Sequence, residues 1–173
     1  YVEKYPEIRI VESEMDIELG IQALEEKNYA GVIKHMTNAI ARGDSAIAYF
    51  RRGQGYMYSN KNVEAISDFN QAIALNPSYI YAYEARLACH MRRNNFLRVR
   101  ADFDRLIELS PSAKNYAGRG ELKGFFLKDE AKDAESDMEE SIRLDPANKS
   151  YKENLALYHK KMQKKADEIQ NKL

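Results

Sequence analysis

Tryptophan is absent from the 173 residues, cysteine occurs once and proline four times. A lone Cys89 forms no intrachain disulfide, so a disulfide-stapled scaffold is excluded. No run approaches the length of about 18 apolar residues that a membrane-spanning helix needs. Net charge is missing too: 27 basic side chains balance 27 acidic ones, which removes any global pull toward nucleic acid or anionic lipid. Apolar residues make up 44% of the chain, enough to argue against wholesale disorder. These features predict a soluble, disulfide-free chain of about one domain's length. It begins at Tyr1 rather than Met, so a leader peptide cannot be judged and the localisation stays unknown.

Three of the four prolines close similar phrases, Leu75-Asn76-Pro77, Leu109-Ser110-Pro111 and Leu144-Asp145-Pro146, at intervals of 34 and 35 residues. A fixed period of this size predicts stacked repeats. Counted from Ala46 as position 1, Tyr49 stands at 4, Arg52-Gly53 at 7 and 8, Tyr56 at 11, Ala65 at 20, Phe69 at 24, Ala72 at 27 and Pro77 at 32. Apolar spacing predicts helices over 46–59 and 62–75, separated by the polar Asn60-Lys61-Asn62 turn. Helices this short are marginal alone and must bury one face on a neighbour. Gly53, Ala65 and Ala72 let the backbones approach while Tyr49, Tyr56 and Phe69 fill the surrounding space. Pro77 ends the second helix, because it has no amide hydrogen and disfavours helical geometry in the residue before it.

The frame recurs from Ser13, with Leu19-Gly20 at 7 and 8, Tyr29 at 17, Val32 at 20, Met36 at 24 and Ala39 at 27, although Asp44 stands where proline is expected. It recurs again from Ile80 with Tyr83, Phe96 and Phe103. There Leu87, Val99 and Leu106 exceed the expected Gly, Ala and Ala, which predicts a splayed or shifted third unit. A fourth copy over 113–146 aligns Arg119-Gly120 with Arg52-Gly53 and Ala134 with Ala65, leaving two extra residues in the turn near Leu127 to Glu130. After Pro146, residues 148–171 read as a single capping helix, which stacked arrays require.

This pattern resembles the tetratricopeptide repeat, with the match carried by Gly53, Tyr56, Ala65, Phe69, Ala72 and Pro77. The resemblance implies an all-α, right-handed α-solenoid of four helix-turn-helix units plus a C-terminal capping helix. The expected segments are a lead-in over 1–12, interrupted by Pro6, units at 13–44, 45–78, 79–112 and 113–147, and the capping helix at 148–173. The resemblance also implies a groove lined by the first helices. Its expected residues are Ile17, Ile21, Leu24, Ile47, Phe50, Gln54, Met57, Tyr81, Glu84, Met91 and Glu121. Such a groove suits an extended peptide or amphipathic helix of another protein. On this reading Phe50→Ala or Tyr81→Ala weakens binding with little loss of fold. Competing occupants are the N-terminal segment with Ile8, Ile10 and Val11, or a second copy of the chain. One branch of the family grips the C-terminal carboxylate of heat-shock chaperones with a two-carboxylate clamp. The corresponding positions here are Ile17, Ile21, Arg51, Tyr81 and Ala85, of which only Arg51 is basic, so the resemblance stops short of the clamp.

Little in the sequence points to catalysis. His35, His90 and His159 fall in different units, and the adjacent Cys89 and His90 would point about 100° apart on a helix. Phosphate-loop and zinc-ligand spacings are absent, so no catalytic, cofactor or metal residues are expected and the chain reads as non-enzymatic. Charge is arranged in blocks, −4 over 1–44, +3 over 45–111, −3 over 112–146 and +4 over 147–173. Arg51, Arg52, Arg86, Arg92 and Arg93 form an alternative basic patch for phosphate or RNA. Weighing against nucleic acid, Arg98 and Arg100 stand four residues before Asp102 and Asp104, and no regular aromatic platform accompanies the arginines. The acidic run Asp129, Glu130, Asp133, Glu135, Asp137, Glu139 and Glu140 reads as a solvated helix face. Tyr151, Leu155, Tyr158, Met162, Ile169 and Leu173 form a stripe among Lys160, Lys161, Lys164 and Lys165. Its first half is expected to cap the array, and its second to project, pair with another chain or lean on an acidic partner.

Overall fold

A computed structural model describes residues 6–127 and 133–171, with side chains from residue 10 onward. Among the described residues there are nine α-helices and no strand: α1 (Pro6–Glu25), α2 (Tyr29–Arg42), α3 (Ala46–Tyr58), α4 (Asn62–Leu75), α5 (Ile80–Arg92), α6 (Phe96–Leu109), α7 (Ala113–Phe125), α8 (Ala134–Leu144) and α9 (Lys149–Gln170). The chain forms two compact units, residues 1–94 with α1 to α5 and residues 95–173 with α6 to α9. The division falls inside the expected third unit, 79–112, the one with Leu87, Val99 and Leu106 in place of small residues. Part of the expected insertion near Leu127 to Glu130 lies outside the described residues, as do Asp129, Glu130 and Leu173.

In the first unit each helix packs on the next, and the first helices α1, α3 and α5 also touch in sequence. Caps fix where the helices begin. The Asn28 side chain accepts the Gly31 amide at the start of α2, and Ser45 accepts the Ala48 amide at the start of α3. Beyond the ends of α1, α3 and α5, Lys27, Asn60 and Asn94 adopt positive φ of 57°, 60° and 53°, so each of these helices ends in one left-handed residue. Asparagine tolerates that geometry, whereas Lys27 carries a penalty of about 1 kcal/mol. Phe69 is fully buried among Phe50, Met57, Ala65, Ala72, Ala82 and Cys89. A Cβ on Gly53 would lie 2.6 Å from the Phe69 ring, so α3 and α4 can approach only because that side chain is missing. Met36 occupies the corresponding place against Gly20, in a cluster with Ala23, Val32, Ala39 and Ala48.

The expected lead-in is corrected at its end: residues 6–12 belong to α1, so Pro6 does not separate them from the first repeat. Ile10 and Val11 are 59% and 61% exposed on that helix, so these two do not fill a groove. The extra turns anchor an ion-pair network between α1 and α2. Arg42 donates to Glu12 at 3.1 Å and to Asp16 at 2.6 Å, while the His35 ring lies 3.0 Å from Asp16 and Asn38 donates to it at 3.3 Å. Burial alone would raise the Asp16 carboxyl, but the hydrogen bonds from His35 and Asn38 and the Arg42 charge hold it below the ordinary value. A depressed carboxyl adds stability above its unfolded value, near pH 4, and loses it as pH falls through the folded one. Thermal melts from pH 6 to pH 2 should therefore show the deficit of Asp16→Asn shrinking below about pH 4. A deficit that stays constant would mean the network is not ionic.

In the second unit Ser112 caps α7 through the Asn115 amide, and Asn148 caps α9 through the Ser150 amide. Ala134, Met138 and Tyr158 form a core with Phe125, Leu155 and Met162 against it. Tyr158 packs over Gly124 and meets Phe125 edge-on, ring centroids 6.4 Å apart, so the first half of α9 covers α7 and α8. Residues 163–171 are exposed throughout.

Both units share a salt bridge that joins the helices of one hairpin. Arg52 grips Asp68 with two hydrogen bonds of 2.8 Å, and Arg119 grips Asp137 with bonds of 2.9 and 2.6 Å. Lys123 adds a contact to Asp137 at 2.9 Å. Asp137 is 5% exposed, which corrects the reading of the acidic run as a uniformly solvated face.

Candidate binding face

The first-helix face of the first unit is built from α1, α3 and α5. On it Tyr81 is 67% exposed, Ile47 39% and Met91 38%. Ile17, Ile21 and Leu24 are half-buried, packed against the cluster of Val32 and Met36. Gln54 and Glu84 are also half-buried. Arg51 donates to Gln54 at 2.9 Å, and its guanidinium lies 5.6 Å from the centre of the Phe50 ring.

Phe50 and Met57 stand elsewhere. Phe50 is only 6% exposed, its ring 5.9 Å from Phe69 and 4.9 Å from Tyr79, and Met57 is in the same cluster. The expectation that Phe50→Ala spares the fold is corrected accordingly. The covering group is Tyr79, which precedes α5; its phenol is pushed up by burial and meets Tyr81 edge-on at 6.5 Å. Glu121 lies in the second unit, where burial raises its carboxyl and Asn154 of α9 donates to it.

The arginines of the alternative patch are mostly engaged within the first unit. Arg52 holds Asp68, Arg86 donates to Asn70 at 2.6 Å and lies over the Tyr83 ring, and Arg92 donates to the Met57 carbonyl at 3.2 Å. Arg93 is exposed. The repeated pairing of Arg52 with Asp68 and Arg119 with Asp137 was missed in the sequence. The signal was present as an acid 16 or 18 residues after each Arg-Gly pair. Cys89 is fully buried and burial pushes its thiol up to about 11, which keeps it protonated and unreactive at neutral pH. Among the described residues, no group of three or more His, Cys, Asp or Glu side chains could hold a metal ion, and no helix is long and apolar enough to cross a membrane.

Residues 46–79, the hairpin of α3 and α4 with its closing turn, match the tetratricopeptide repeat family. Residues 46–79 of this chain are a tetratricopeptide repeat. The chain's fold class is the α-solenoid of that family. Hsp70-Hsp90 organizing protein 3 of Arabidopsis thaliana is 32% identical over 101 residues, which is 58% of this chain; the chain spans 18% of that relative's length. MamA of Desulfovibrio magneticus RS-1 shares the fold with a TM-score of 0.76 at 13% identity, over 93% of this chain and 92% of that one. The first tetratricopeptide domain of Spaghetti (RPAP3), solved with the HSP90 peptide SRMEEVD, has a TM-score of 0.59 at 24% identity, over 64% of this chain and 92% of that one. Of Ile17, Ile21, Arg51, Tyr81 and Ala85, the positions that the resemblance aligns with the clamp, only Arg51 is basic.

Proposed function

We propose that this protein is a non-enzymatic protein-protein interaction module whose first unit captures an extended peptide or amphipathic helix on the face of α1, α3 and α5. The observation that carries this reading is the exposure of Tyr81 and Met91 on α5 and of Ile47 on α3. Covering such apolar area stabilises a complex by about 25 cal/mol per Å² before the costs of association. Arg51 supplies one charge-assisted donor to orient the ligand. The tetratricopeptide relatives support a protein partner: one is an organizing protein for Hsp70 and Hsp90, and a structural neighbour holds an HSP90 peptide. Four of the clamp-equivalent residues are uncharged, which favours an apolar ligand with one carboxylate over a doubly anionic chain terminus. A phosphate or RNA ligand is less well supported, because Arg52, Arg86 and Arg92 already hold partners.

Peptides selected from a displayed library on the intact protein provide the test. Tyr81→Ala should weaken the selected peptides about tenfold while leaving the melting temperature unchanged, and SRMEEVD should bind weakly to both forms. Selected peptides that bind Tyr81→Ala undiminished, or that require high net negative charge, would overturn the reading.

A further inference from the structure

The outer face of α1 is an exposed apolar stripe. Val11, Met15 and Leu19, four residues apart, are 61%, 53% and 42% exposed. They lie roughly 200° around the helix from Ile17 and Ile21, away from the proposed peptide face. Exposed Glu14 and Glu18 run beside them, and the helix carries six carboxylates against one arginine. At the other end of the chain α9 has the opposite character, with six lysines against three carboxylates. Its solvent face, opposite the packed side chains of Leu155, Tyr158 and Met162, shows Leu157 at 55% exposure with Lys160 and Lys164 beside it.

We propose that α1 of one copy of this chain docks against α9 of a second copy, so that copies associate in series through a heterologous interface. Charge complementarity selects a second copy as the occupant. Glu14 and Glu18 stand four residues apart, about 6 Å along the helix, and Lys160 and Lys164 have the same separation. An antiparallel crossing sets Glu14 against Lys164 and Glu18 against Lys160, and brings Leu19 beside Leu157. The remaining groups on α9 leave this face available. Lys161 is turned inward, donating to the Gly124 carbonyl at 2.8 Å over the Phe125 ring. The Lys164 contact with Glu168 is 3.9 Å long and exposed, so it exchanges readily for a partner's carboxylate. Two crossing helices bury less than a standard interface, so the association is weak and rises with concentration. Because the surfaces differ, each copy carries both halves of the contact, and association continues until the assembly closes on itself.

Sedimentation velocity at several concentrations and low salt tests this on the full chain. The expected result is an average mass that grows with concentration and falls in about 0.5 M salt, where charges are screened over a few ångströms. Glu14→Lys with Glu18→Lys should leave a monomer, and so should Lys160→Glu with Lys164→Glu. Mixing these two charge-reversed chains in equal amounts should restore association, because each then complements the other at both ends. All four positions are exposed, and circular dichroism checks that the variants keep their helices. A wild-type chain that stays monomeric, variants that associate like wild type, or a mixture that fails to reassociate would each overturn the proposal.

Discussion

Replacing Phe50 with alanine should destabilise the first unit by about 3–5 kcal/mol, the range for removing a buried phenylalanine. The ring is 6% exposed and wedged between Phe69 and Tyr79, with the Arg51 guanidinium on its side. Its loss leaves a cavity where α3, α4 and the turn before α5 converge. Tyr81→Ala is the control: at 67% exposure its effect on stability should stay within about 0.5 kcal/mol, while peptide binding falls. Chemical denaturation of both variants, with hydrogen exchange across α3 to α5, separates the two roles. An unchanged denaturation midpoint for Phe50→Ala would return that ring to the binding face.

A comparable loss is expected in the second unit from Arg119→Met. The guanidinium bonds Asp104 at 2.8 Å and Asp137 through two nitrogens, and Asp137 is 5% exposed. Removing one partner of a buried pair costs about 3–5 kcal/mol, because the remaining charge keeps its desolvation penalty. Lys123, 2.9 Å from Asp137, holds the loss toward the lower end. Arg119→Met combined with Asp137→Leu and Lys123→Met should recover most of the stability, since three apolar groups of similar volume leave no buried charge unpaired. Denaturation of the single and triple variants decides between a paired charge and a packing role; a triple variant as unstable as the single one would favour packing.

The helical hairpins were legible because their determinants are local. The small residues at Gly53, Ala65 and Ala72 and the spacing of the prolines all act within one or two turns or one repeat. The face was less legible. Position in the repeat placed Phe50 beside Tyr81, but exposure depends on what the next segment contributes, and Tyr79 covers one ring while leaving the other open. The arginines illustrate the same limit. A block charge counts Arg52 and Asp68 as separate solvated groups, whereas the hairpin holds them 2.8 Å apart and removes both from any ligand.

The sequence by itself determined the repeat length and the helix pairs, because these follow from periodic spacing. Tertiary structure alone decided which apolar side chains are core and which are available, which charges neutralise each other, and that α1 reaches back to Pro6. The reason is that burial and ion pairing depend on surfaces from several helices at once, and a one-dimensional period specifies only one helix's contribution to them.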